Sequence, residues 1–297
     1  MKKAVILGKY KARLVEVPDP EPKEDWVLVK VQAAPMCTEY KMFLAGHKAD
    51  YLGHEAAGEV VEVAQPCKVK VGDRVVVMPQ YPCWKCQLCI SGDYIHCENS
   101  YDFAKFIGSP EGSATVVQYL LKPSWLLPPI PESVSYEHAS LALCALGPTF
   151  GAFDLMNVDS FDTVLITGAG PVGLGGIINA RFRGARVIVA EFHPWRVKKA
   201  KELGAEAVID PRNKDCVEQI KSLTNGIGVD KAVDCSGTVA AHRLCIDSTR
   251  RKGYVAFVGE CFEETPIRIS SDMIRKGLTL HGAWHYNLSL FPKVMKV

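Results

Sequence analysis

The sequence has little that would place the protein in a membrane or on a polyanion. None of its apolar runs approaches the ~18 residues that a membrane-spanning helix needs. The amino terminus offers only the short apolar run at residues 4–7, which is too short for a secretory signal peptide. The formal net charge is only +2 and no long basic run is present, so nucleic-acid binding is not expected. We therefore expect a soluble, cytoplasmic protein.

Internal repeats and low-complexity tracts are also missing. The 297 residues, 48% of them hydrophobic, suit two domains with substantial cores better than one. Cysteine, by contrast, is abundant. Because no secretion signal accompanies the 11 cysteines, they indicate reduced thiols and metal sites, not a disulfide framework.

The strongest functional signal lies between Val164 and Glu191. A short apolar run, typical of a buried parallel strand, precedes a G-x-G-x-x-G motif, and a helical segment and a second apolar strand follow it. In such a motif the first glycine permits the tight turn, the second lets the backbone approach a pyrophosphate, and the third lets helix and strand pack closely. The motif residues that we assign to cofactor binding are Gly168, Gly170, Pro171, Val172 and Gly173.

The acidic residue that ends the second strand predicts which dinucleotide binds. Glu191 follows Gly173 by roughly the 20 residues typical of an acid that binds the ribose hydroxyls of NAD. A carboxylate at this position repels the 2′-phosphate of NADP, so the pattern favours NAD. Arg196, which follows closely, either faces the adenosine ribose or diphosphate or is a surface cation of a helix.

The first part of the chain, to about residue 150, has a different pattern. Its strand-like apolar and alternating runs are separated by prolines, and no helix alternates with them. This pattern predicts a β-rich domain with a barrel-like or sandwich core. The whole chain is thus expected to be an α/β protein of two domains.

A cysteine-rich loop lies inside this β-rich part. Its spacing is C-x2-C-x2-C-x7-C, formed by Cys83, Cys86, Cys89 and Cys97. Four thiolates so placed can enclose a tetrahedral zinc ion with no open position, which is typical of a structural site. A ferredoxin-type iron–sulfur run is the alternative, but it places its fourth cysteine closer and follows it with proline. The spacing therefore favours zinc, which would order a loop with little apolar core.

Two further segments carry ligands of the kind found in catalytic zinc sites. Cys37 follows an apolar strand, and His54 and Glu55 lie together in a later segment. A thiolate and an imidazole, completed by one more ligand, form a zinc site with an open position. Taken alone, each residue also fits a simpler interpretation, as a small buried thiol or a hydrogen-bonded core histidine.

Together these motifs resemble the zinc-dependent medium-chain alcohol and polyol dehydrogenases, which include sorbitol and threonine dehydrogenases. The matching segments are Cys37 after its strand, GHEAAGEV at 53–60, VGDRV at 71–75, the four-cysteine run, GAGPVG at 168–173 and AKELGA at 200–205. The resemblance implies a GroES-like catalytic domain at residues 1–150, a Rossmann NAD-binding domain with a doubly wound parallel sheet at 151–285, and two zinc ions per chain, one catalytic and one structural. It also implies a homodimer or homotetramer.

The resemblance further assigns the catalytic zinc ligands. Cys37 and His54 match two of them, and Glu55 matches the adjacent glutamate, which is either an alternate ligand or a neighbour of the ligands. The third ligand varies in the family. Cys144 has the spacing to Phe150 that alcohol dehydrogenases use for a cysteine ligand, and a buried helix cysteine is the alternative interpretation.

The chain departs from the family pattern in two respects. Where relatives place serine or threonine two residues after the first cysteine, this chain has Glu39 with Thr38 beside it, and Met42 stands where many relatives have a histidine. Glu39 then either accepts the alcohol proton or hydrogen-bonds a substrate hydroxyl. The sequence also ends at Val297, where the family continues, so residues 286–297 are expected to begin a truncated return to the first domain.

We therefore predict an oxidoreductase that transfers a hydride from a secondary alcohol or polyol to NAD, giving a ketone or aldehyde. Two alternatives stay open at this point. One is an L-threonine, amino-alcohol or sugar dehydrogenase of the same fold. The other is a non-catalytic, zinc-stabilised NAD-binding protein.

Overall fold

Antiparallel strands dominate the amino-terminal part of the chain, and parallel strands dominate its carboxyl-terminal part. The computed structural model describes residues 1–297 and divides into two units. The first consists of Met1–Leu143 with Asn287–Met295, and the second of Cys144–Tyr286 with Lys296–Val297. No helix combines the length and the apolar character needed to cross a membrane.

The first unit is built on a four-stranded antiparallel sheet with the order β5-β4-β3-β6, accompanied by the hairpin β1-β2. Its strands are β1 (Lys2–Gly8), β2 (Lys11–Glu16), β3 (Trp26–Ala33), β4 (Ala56–Val63), β5 (Arg74–Val77) and β6 (Tyr119–Pro123). Its helices before residue 144 are α1 (Glu39–Ala45), α2 (Gln87–Ile90), α3 (Phe103–Ile107) and α4 (Tyr136–Ser140), with 3-10 turns at Tyr94–His96 and Ser124–Leu126.

Alternating side chains of this sheet supply two apolar clusters. Val27 and Val29 of β3 are fully buried with Val75 of β5 in one cluster. Trp26 belongs to the other cluster and stacks on Tyr81 with ring centroids 5.6 Å apart. Successive strand residues point to opposite faces of a sheet. The apolar residues of β3 therefore bury both faces of this one. The prediction of a β-rich first domain is confirmed.

The second unit contains a six-stranded sheet in which every neighbouring pair is parallel. Its strands are β7 (Thr163–Thr167), β8 (Arg186–Ala190), β9 (Ala207–Ile209), β10 (Val229–Asp234), β11 (Thr249–Phe257) and β12 (Thr279–Gly282). Its helices are α5 (Gly147–Leu155), α6 (Pro171–Phe182), α7 (Pro194–Glu202), α8 (Cys216–Ser222) and α9 (Val239–Ser248), with a π-helical turn at Ile269–Ile274. A last helix, α10 (Phe291–Val294), belongs to the first unit.

The strand order β12-β11-β10-β7-β8-β9 is that of a doubly wound dinucleotide-binding sheet. The chain runs outward from β7 in one direction, then crosses back to β10 and runs outward in the other, which makes the β7/β10 boundary the topological switch point. In such sheets the ligand lies beyond the carboxyl ends of the strands at that point. The predicted Rossmann sheet of six strands is confirmed.

The central strand β7 is buried on both faces. Val164 and Ile166 pack into one cluster with Ile177 of α6, and Leu165 packs into the other with Ile246 of α9. Helices cover both faces of this parallel sheet, so side chains on both faces of the strand are apolar. This explains the continuous apolar run in its sequence. Each such side chain contributes about 1.5–3 kcal/mol of burial free energy, and the strand thereby fixes the position of the glycine-rich turn that follows it.

Candidate functional site

Cys37, His54 and Glu55 lie together in the first unit. One possible metal-ligand atom from each, the cysteine Sγ, a histidine ring nitrogen and a carboxylate oxygen, lies within 4.8 Å of the others. Local structure sets this arrangement, because Cys37 lies just before α1 and His54 and Glu55 lie just before β4. Glu55 is buried, whereas Cys37 and His54 are half-buried. The cluster therefore combines a protected carboxylate with two ligands that a small molecule can approach.

Glu39 is tied to this cluster through both of its carboxylate oxygens. Oε1 lies 3.0 Å from His54 Nδ1, and Oε2 accepts a hydrogen bond of 2.9 Å from the backbone N–H of Cys37. The side chain lies in the first turn of α1 and is buried, at 8% exposure. A carboxylate on Nδ1 fixes the ring orientation and leaves Nε2 as the ligand nitrogen. Thr38, the N-cap residue of α1, is exposed and makes no side-chain capping bond.

The electrostatics of the cluster favour positive charge at His54. Its hydrogen bonds with Cys37 and Glu39 raise the pKa of His54 to about 10, against the opposing effect of burial. Burial acts to raise the pKa of Glu39, but its hydrogen bonds with His54 and with backbone N–H groups outweigh burial and lower it. A site that stabilises a proton on an imidazole beside a thiol and two carboxylates also stabilises a divalent cation there.

The donor set fits zinc. Sulfur, imidazole nitrogen and carboxylate oxygen are the three ligand types of catalytic zinc sites, and calcium or magnesium would require oxygen ligands throughout. The remaining predicted ligand, Cys144, is the half-buried first residue of the second unit, three residues before α5 begins at Gly147. Its role as a ligand stays a prediction.

The four cysteines of the predicted structural site are also brought together. The Sγ atoms of Cys83, Cys86, Cys89 and Cys97 all lie within 4.8 Å of one another. Cys86 precedes α2, Cys89 lies within it, and Cys97 follows the 3-10 turn Tyr94–His96. The structure thus assembles four thiols into the closed set that a tetrahedral structural zinc requires.

Backbone N–H groups point at these sulfur atoms. The N–H groups of Lys85 and Cys86 each donate to Cys83 Sγ at 3.4 Å, and that of Asn99 donates to Cys97 Sγ at 3.4 Å. The bond from Lys85 is the largest of the effects that lower the pKa of Cys83 to about 6. Donors of this kind favour thiolates, the form in which cysteine binds a metal.

The carboxyl-terminal segment forms hydrogen bonds with the four-cysteine loop. Asn287 Nδ2 donates to the carbonyl of Ser91 at 2.8 Å and to Asp93 Oδ1 at 2.9 Å, and the N–H of Leu288 donates to the carbonyl of Gly92 at 2.9 Å. Sequence reasoning missed Asn287, because its partners lie almost 200 residues earlier in the chain and no local motif connects them.

In the second unit, the glycine-rich turn has the geometry that its motif predicts. Gly168 has φ +81°, and a Cβ on it would lie 2.9 Å from the Ser236 side chain. A Cβ on Gly173 would lie 1.8 Å from the Gly168 carbonyl oxygen, so helix and strand can pack only if this residue is glycine. Gly170 is the N-cap of α6, and Pro171 begins the helix with Val172 after it. The free N–H groups of this helix start form an anion-binding site.

Glu191 lies directly after β8 and faces the turn. Its Oε2 accepts a hydrogen bond of 2.9 Å from the N–H of Ala169, and its Oε1 accepts bonds from the N–H groups of Phe192 and His193 at 2.8 and 2.9 Å. Burial acts to raise the pKa of Glu191, but these donors outweigh it and lower the pKa below its ordinary value. The side chain is therefore an ionised carboxylate that also ties the turn to the end of β8.

A cavity of about 490 Å³ opens beside this carboxylate. Gly168, Glu191 and Phe192 line it together with Arg196 and Arg212. Arg196 Nη1 lies 3.7 Å from Glu191 Oε2, and the Arg212 guanidinium stacks 4.6 Å from the centre of the Phe192 ring. Three of the predicted cofactor residues, Gly168, Glu191 and Arg196, thus line one cavity at the carboxyl end of the sheet, where a dinucleotide-binding sheet places its ligand. Which ribose atoms Glu191 and Arg196 would contact stays a prediction.

Sequence reasoning gave no role to Asp234, which the structure places beneath the turn. Its fully buried carboxylate accepts hydrogen bonds from Thr167 Oγ1 at 2.9 Å and from the N–H groups of Ser236 and Gly237, each at 3.1 Å. Asp234 thereby holds the loop that packs against Gly168. Its position at the carboxyl end of the strand next to β7 was the available signal.

Family profiles cover both units. The zinc-binding dehydrogenase profile matches residues 171–297, and the profile of the alcohol dehydrogenase GroES-like domain matches residues 23–132. Sorbitol dehydrogenase of Bacillus subtilis is 34% identical over 304 residues, covering 99% of this chain and 84% of that protein. L-threonine 3-dehydrogenase of Pyrococcus horikoshii is 34% identical over 285 residues, covering 92% of this chain and 79% of that protein.

Solved structures give the same result. The alcohol dehydrogenase TADH from Thermus sp. ATN1 superimposes with a TM-score of 0.87 at 25% identity, covering 100% of this chain and 88% of that one. The 2R,3R-butanediol dehydrogenase from Bacillus subtilis superimposes with a TM-score of 0.83 at 28% identity, covering 99% and 87%. The family, the fold and the enzyme class predicted from the sequence are confirmed. The chain therefore belongs to the zinc-dependent medium-chain alcohol dehydrogenases and is an oxidoreductase.

Proposed function

We propose that this dehydrogenase oxidises a secondary alcohol or polyol with NAD and uses a catalytic zinc ion held by Cys37, His54 and Cys144. The observation that carries the proposal is the cluster of Cys37, His54 and Glu55, with Glu39 on the far side of the imidazole. This cluster has the composition of a catalytic zinc centre. It offers a thiol, an imidazole and a buried carboxylate within reach of one ion, and the Glu39 carboxylate accepts a hydrogen bond from the imidazole.

Each ligand has a defined part in this proposal. Cys37 and His54 Nε2 supply two ligand atoms, and the half-buried thiol of Cys144 supplies the third, as its family-like spacing to Phe150 indicates. Glu55, whose Oε1 lies 4.0 Å from His54 Nε2, is the alternate ligand beside them. Zinc at this position supplies a Lewis acid that polarises the alcohol oxygen and lowers the pKa of the hydroxyl.

Glu39 acts by orienting His54 in this proposal. Both of its oxygens are engaged, one by the imidazole and one by the backbone of Cys37, so the carboxylate fixes the relative positions of two ligands. This is a different role from accepting the alcohol proton or contacting a substrate hydroxyl.

The second unit supplies the cofactor site. The N–H groups at the start of α6 would hold the pyrophosphate, and the ionised carboxylate of Glu191 would disfavour a 2′-phosphate in the cavity that it lines. NAD supplies the hydride acceptor when bound. A related solved structure is named an NAD-dependent alcohol dehydrogenase, which supports the same cofactor here.

A second zinc ion, held by Cys83, Cys86, Cys89 and Cys97, has a structural role in this proposal. The four thiols leave no open position for a substrate, and backbone N–H groups of the same loop donate to two of the sulfur atoms. A homodimer or homotetramer and a cytoplasmic location are expected from the family resemblance and stay predictions.

The relatives favour two substrate classes. The sorbitol dehydrogenase of Bacillus subtilis suggests a polyol, and the L-threonine 3-dehydrogenase of Pyrococcus horikoshii, equally identical at 34%, suggests an amino alcohol. We propose a polyol as the first candidate substrate and an amino alcohol as the second. The reason is that the match to the sorbitol dehydrogenase covers 99% of this chain, whereas the match to the L-threonine 3-dehydrogenase covers 92%.

The test is zinc content together with NADH production from sorbitol, 2,3-butanediol, L-threonine and simple secondary alcohols. We expect two zinc ions per chain and turnover with the polyols. Turnover of L-threonine alone would replace the polyol proposal with the second candidate. A single zinc ion that survives removal of Cys37, with no turnover of any alcohol, would contradict the catalytic site.

A further inference from the structure

A second cavity lies in the same unit at the opposite end of the sheet from the glycine-rich turn. It has a volume of about 290 Å³. Gly226 and Ile227, just before β10, and Thr249, at the start of β11, line part of it. These are the amino ends of parallel strands, whereas the cofactor cavity lies at their carboxyl ends. The cavity is therefore separate from the dinucleotide site.

The lining of this cavity is strongly basic. Five cationic side chains face one carboxylate, that of Asp247. The cations are Lys221, Arg250, Arg251, Arg275 and Lys276. They come from α8, from the start of β11 and from the segment after the π-helical turn, so folding brings together charges that lie far apart in the sequence.

Only some of these charges are neutralised within the unit. Arg250 Nε is paired with Asp230 Oδ1 at 2.6 Å, and Asp247 is itself paired with Arg243 at 2.6 Å. Lys276 Nζ donates to the carbonyls of Ile246 and Asp247 at the end of α9.

The other three cations, Lys221, Arg251 and Arg275, form no ion pair. Burial lowers the pKa of Lys276, and the charges of Lys221 and Arg243 lower it further, against the opposing effect of Asp247. The cluster thus carries uncompensated positive charge, which an anion would relieve.

We propose that this cavity binds a small polyphosphate or a small phosphate ester. Guanidinium groups bind phosphate oxygens in pairs, and the lining supplies three of them, those of Arg250, Arg251 and Arg275. The lining contains no aromatic side chain on which a nucleobase could stack. Its volume suits one or two phosphate groups with a small organic part, so we assign it to phosphate recognition and not to a second dinucleotide. The proposal does not depend on the alcohol substrate.

Isothermal titration of the zinc-loaded full chain with inorganic pyrophosphate tests this proposal. Saturating NADH is present throughout, so that the anion-binding start of α6 is already filled. We expect one binding site per chain. Because a charge-assisted contact is lost, Arg275→Gln and Lys221→Gln should each weaken binding by about tenfold. The matched control is Lys201→Gln, which removes an exposed cation of α7 that likewise has no ion pair.

No binding of pyrophosphate in the presence of saturating NADH would overturn the proposal, and binding seen only in a parallel titration without NADH would assign the anion to the cofactor site. An effect of Lys201→Gln equal to that of Arg275→Gln would reduce the binding to general surface charge. Equal affinity for sulfate and pyrophosphate would remove the preference for phosphate. Because Arg275 is exposed, its replacement is not expected to alter folding, and unchanged thermal unfolding of the variant verifies this.

Discussion

Glu39 Oε1 lies 3.0 Å from His54 Nδ1, although 15 residues separate the two in the chain. The contact joins the first turn of α1 to the residue that precedes Glu55 and β4. A carboxylate on the outer nitrogen of a ligand histidine fixes its tautomer and increases its basicity, and its loss typically costs 10–100-fold in metal affinity. Glu39 therefore has a role that can be measured without any substrate.

Replacing Glu39 tests whether it acts through His54 or on the substrate. We expect Glu39→Ala to weaken binding of the catalytic zinc by about 10–100-fold, measured by competition with a chelator, and kcat to recover at high zinc. Glu39→Gln should retain most of the affinity, because the amide oxygen still accepts from Nδ1. The control is Glu16→Ala, an exposed residue of β2. Unchanged zinc affinity with a lost kcat would instead identify Glu39 as a proton acceptor.

Removing one thiol of the four-cysteine loop should affect stability more than chemistry. Cys86→Ser opens the closed ligand set, so we expect one zinc fewer per chain and a loss of stability on the order of several kcal/mol. Zinc content and thermal unfolding measure the two effects. The control is Cys67→Ser, since Cys67 lies outside both thiol clusters and bonds only to the carbonyl of Val69. A stable Cys86→Ser protein that has lost turnover would contradict the structural role.

Glu191 should determine the choice between NAD and NADP. We expect Glu191→Ala to weaken NAD and to raise the ratio of kcat/KM for NADP over NAD by about tenfold, which corresponds to ~1.4 kcal/mol. The reason is that the ionised carboxylate no longer repels a 2′-phosphate, while Arg196 remains in the cavity. Because the carboxylate also accepts from Ala169, NAD affinity should fall as well. An unchanged cofactor ratio would remove Glu191 from the ribose site.

Local patterns predicted those parts of the structure that depend on neighbouring residues. The apolar run Val164–Ile166 and the glycines after it specify a strand, a turn and a helix without reference to the rest of the chain. The spacing of Cys83 to Cys97 likewise brings its thiols together within one loop. For this reason the dinucleotide turn and the four-cysteine cluster could be predicted from local spacing, whereas the grouping of Cys37, His54 and Glu55 was predicted only from the family resemblance.

The contacts that the sequence did not indicate all join distant segments. Thr167 and Asp234 are 67 residues apart and meet only because β7 and β10 become neighbours in the sheet. Glu39 could be recognised as a departure from the family pattern, but its partner depends on how α1 packs beside His54. The basic cavity has no sequence motif at all, because Lys221 and Arg275 belong to separate elements.

The ion pair between Arg243 and Asp272 should make stability depend on acid pH. Arg243 Nη1 lies 2.6 Å from Asp272 Oδ2, and this bond, with the backbone N–H of Arg268, lowers the pKa of Asp272 from 3.8 to about 2. Because the folded-state pKa lies below the unfolded one, the stabilisation is fully present above pH ~4 and is lost as the pH falls toward 2. We expect Asp272→Asn to unfold at a lower temperature than the wild type at pH 7, and the difference to shrink steadily between pH 4 and pH 2.

The control for this pH dependence is Asp215→Asn, which alters an exposed carboxylate at the start of α8. A difference between Asp272→Asn and the wild type that is constant from pH 7 to pH 2 would show that the side chain stabilises the fold by packing and not by its charge.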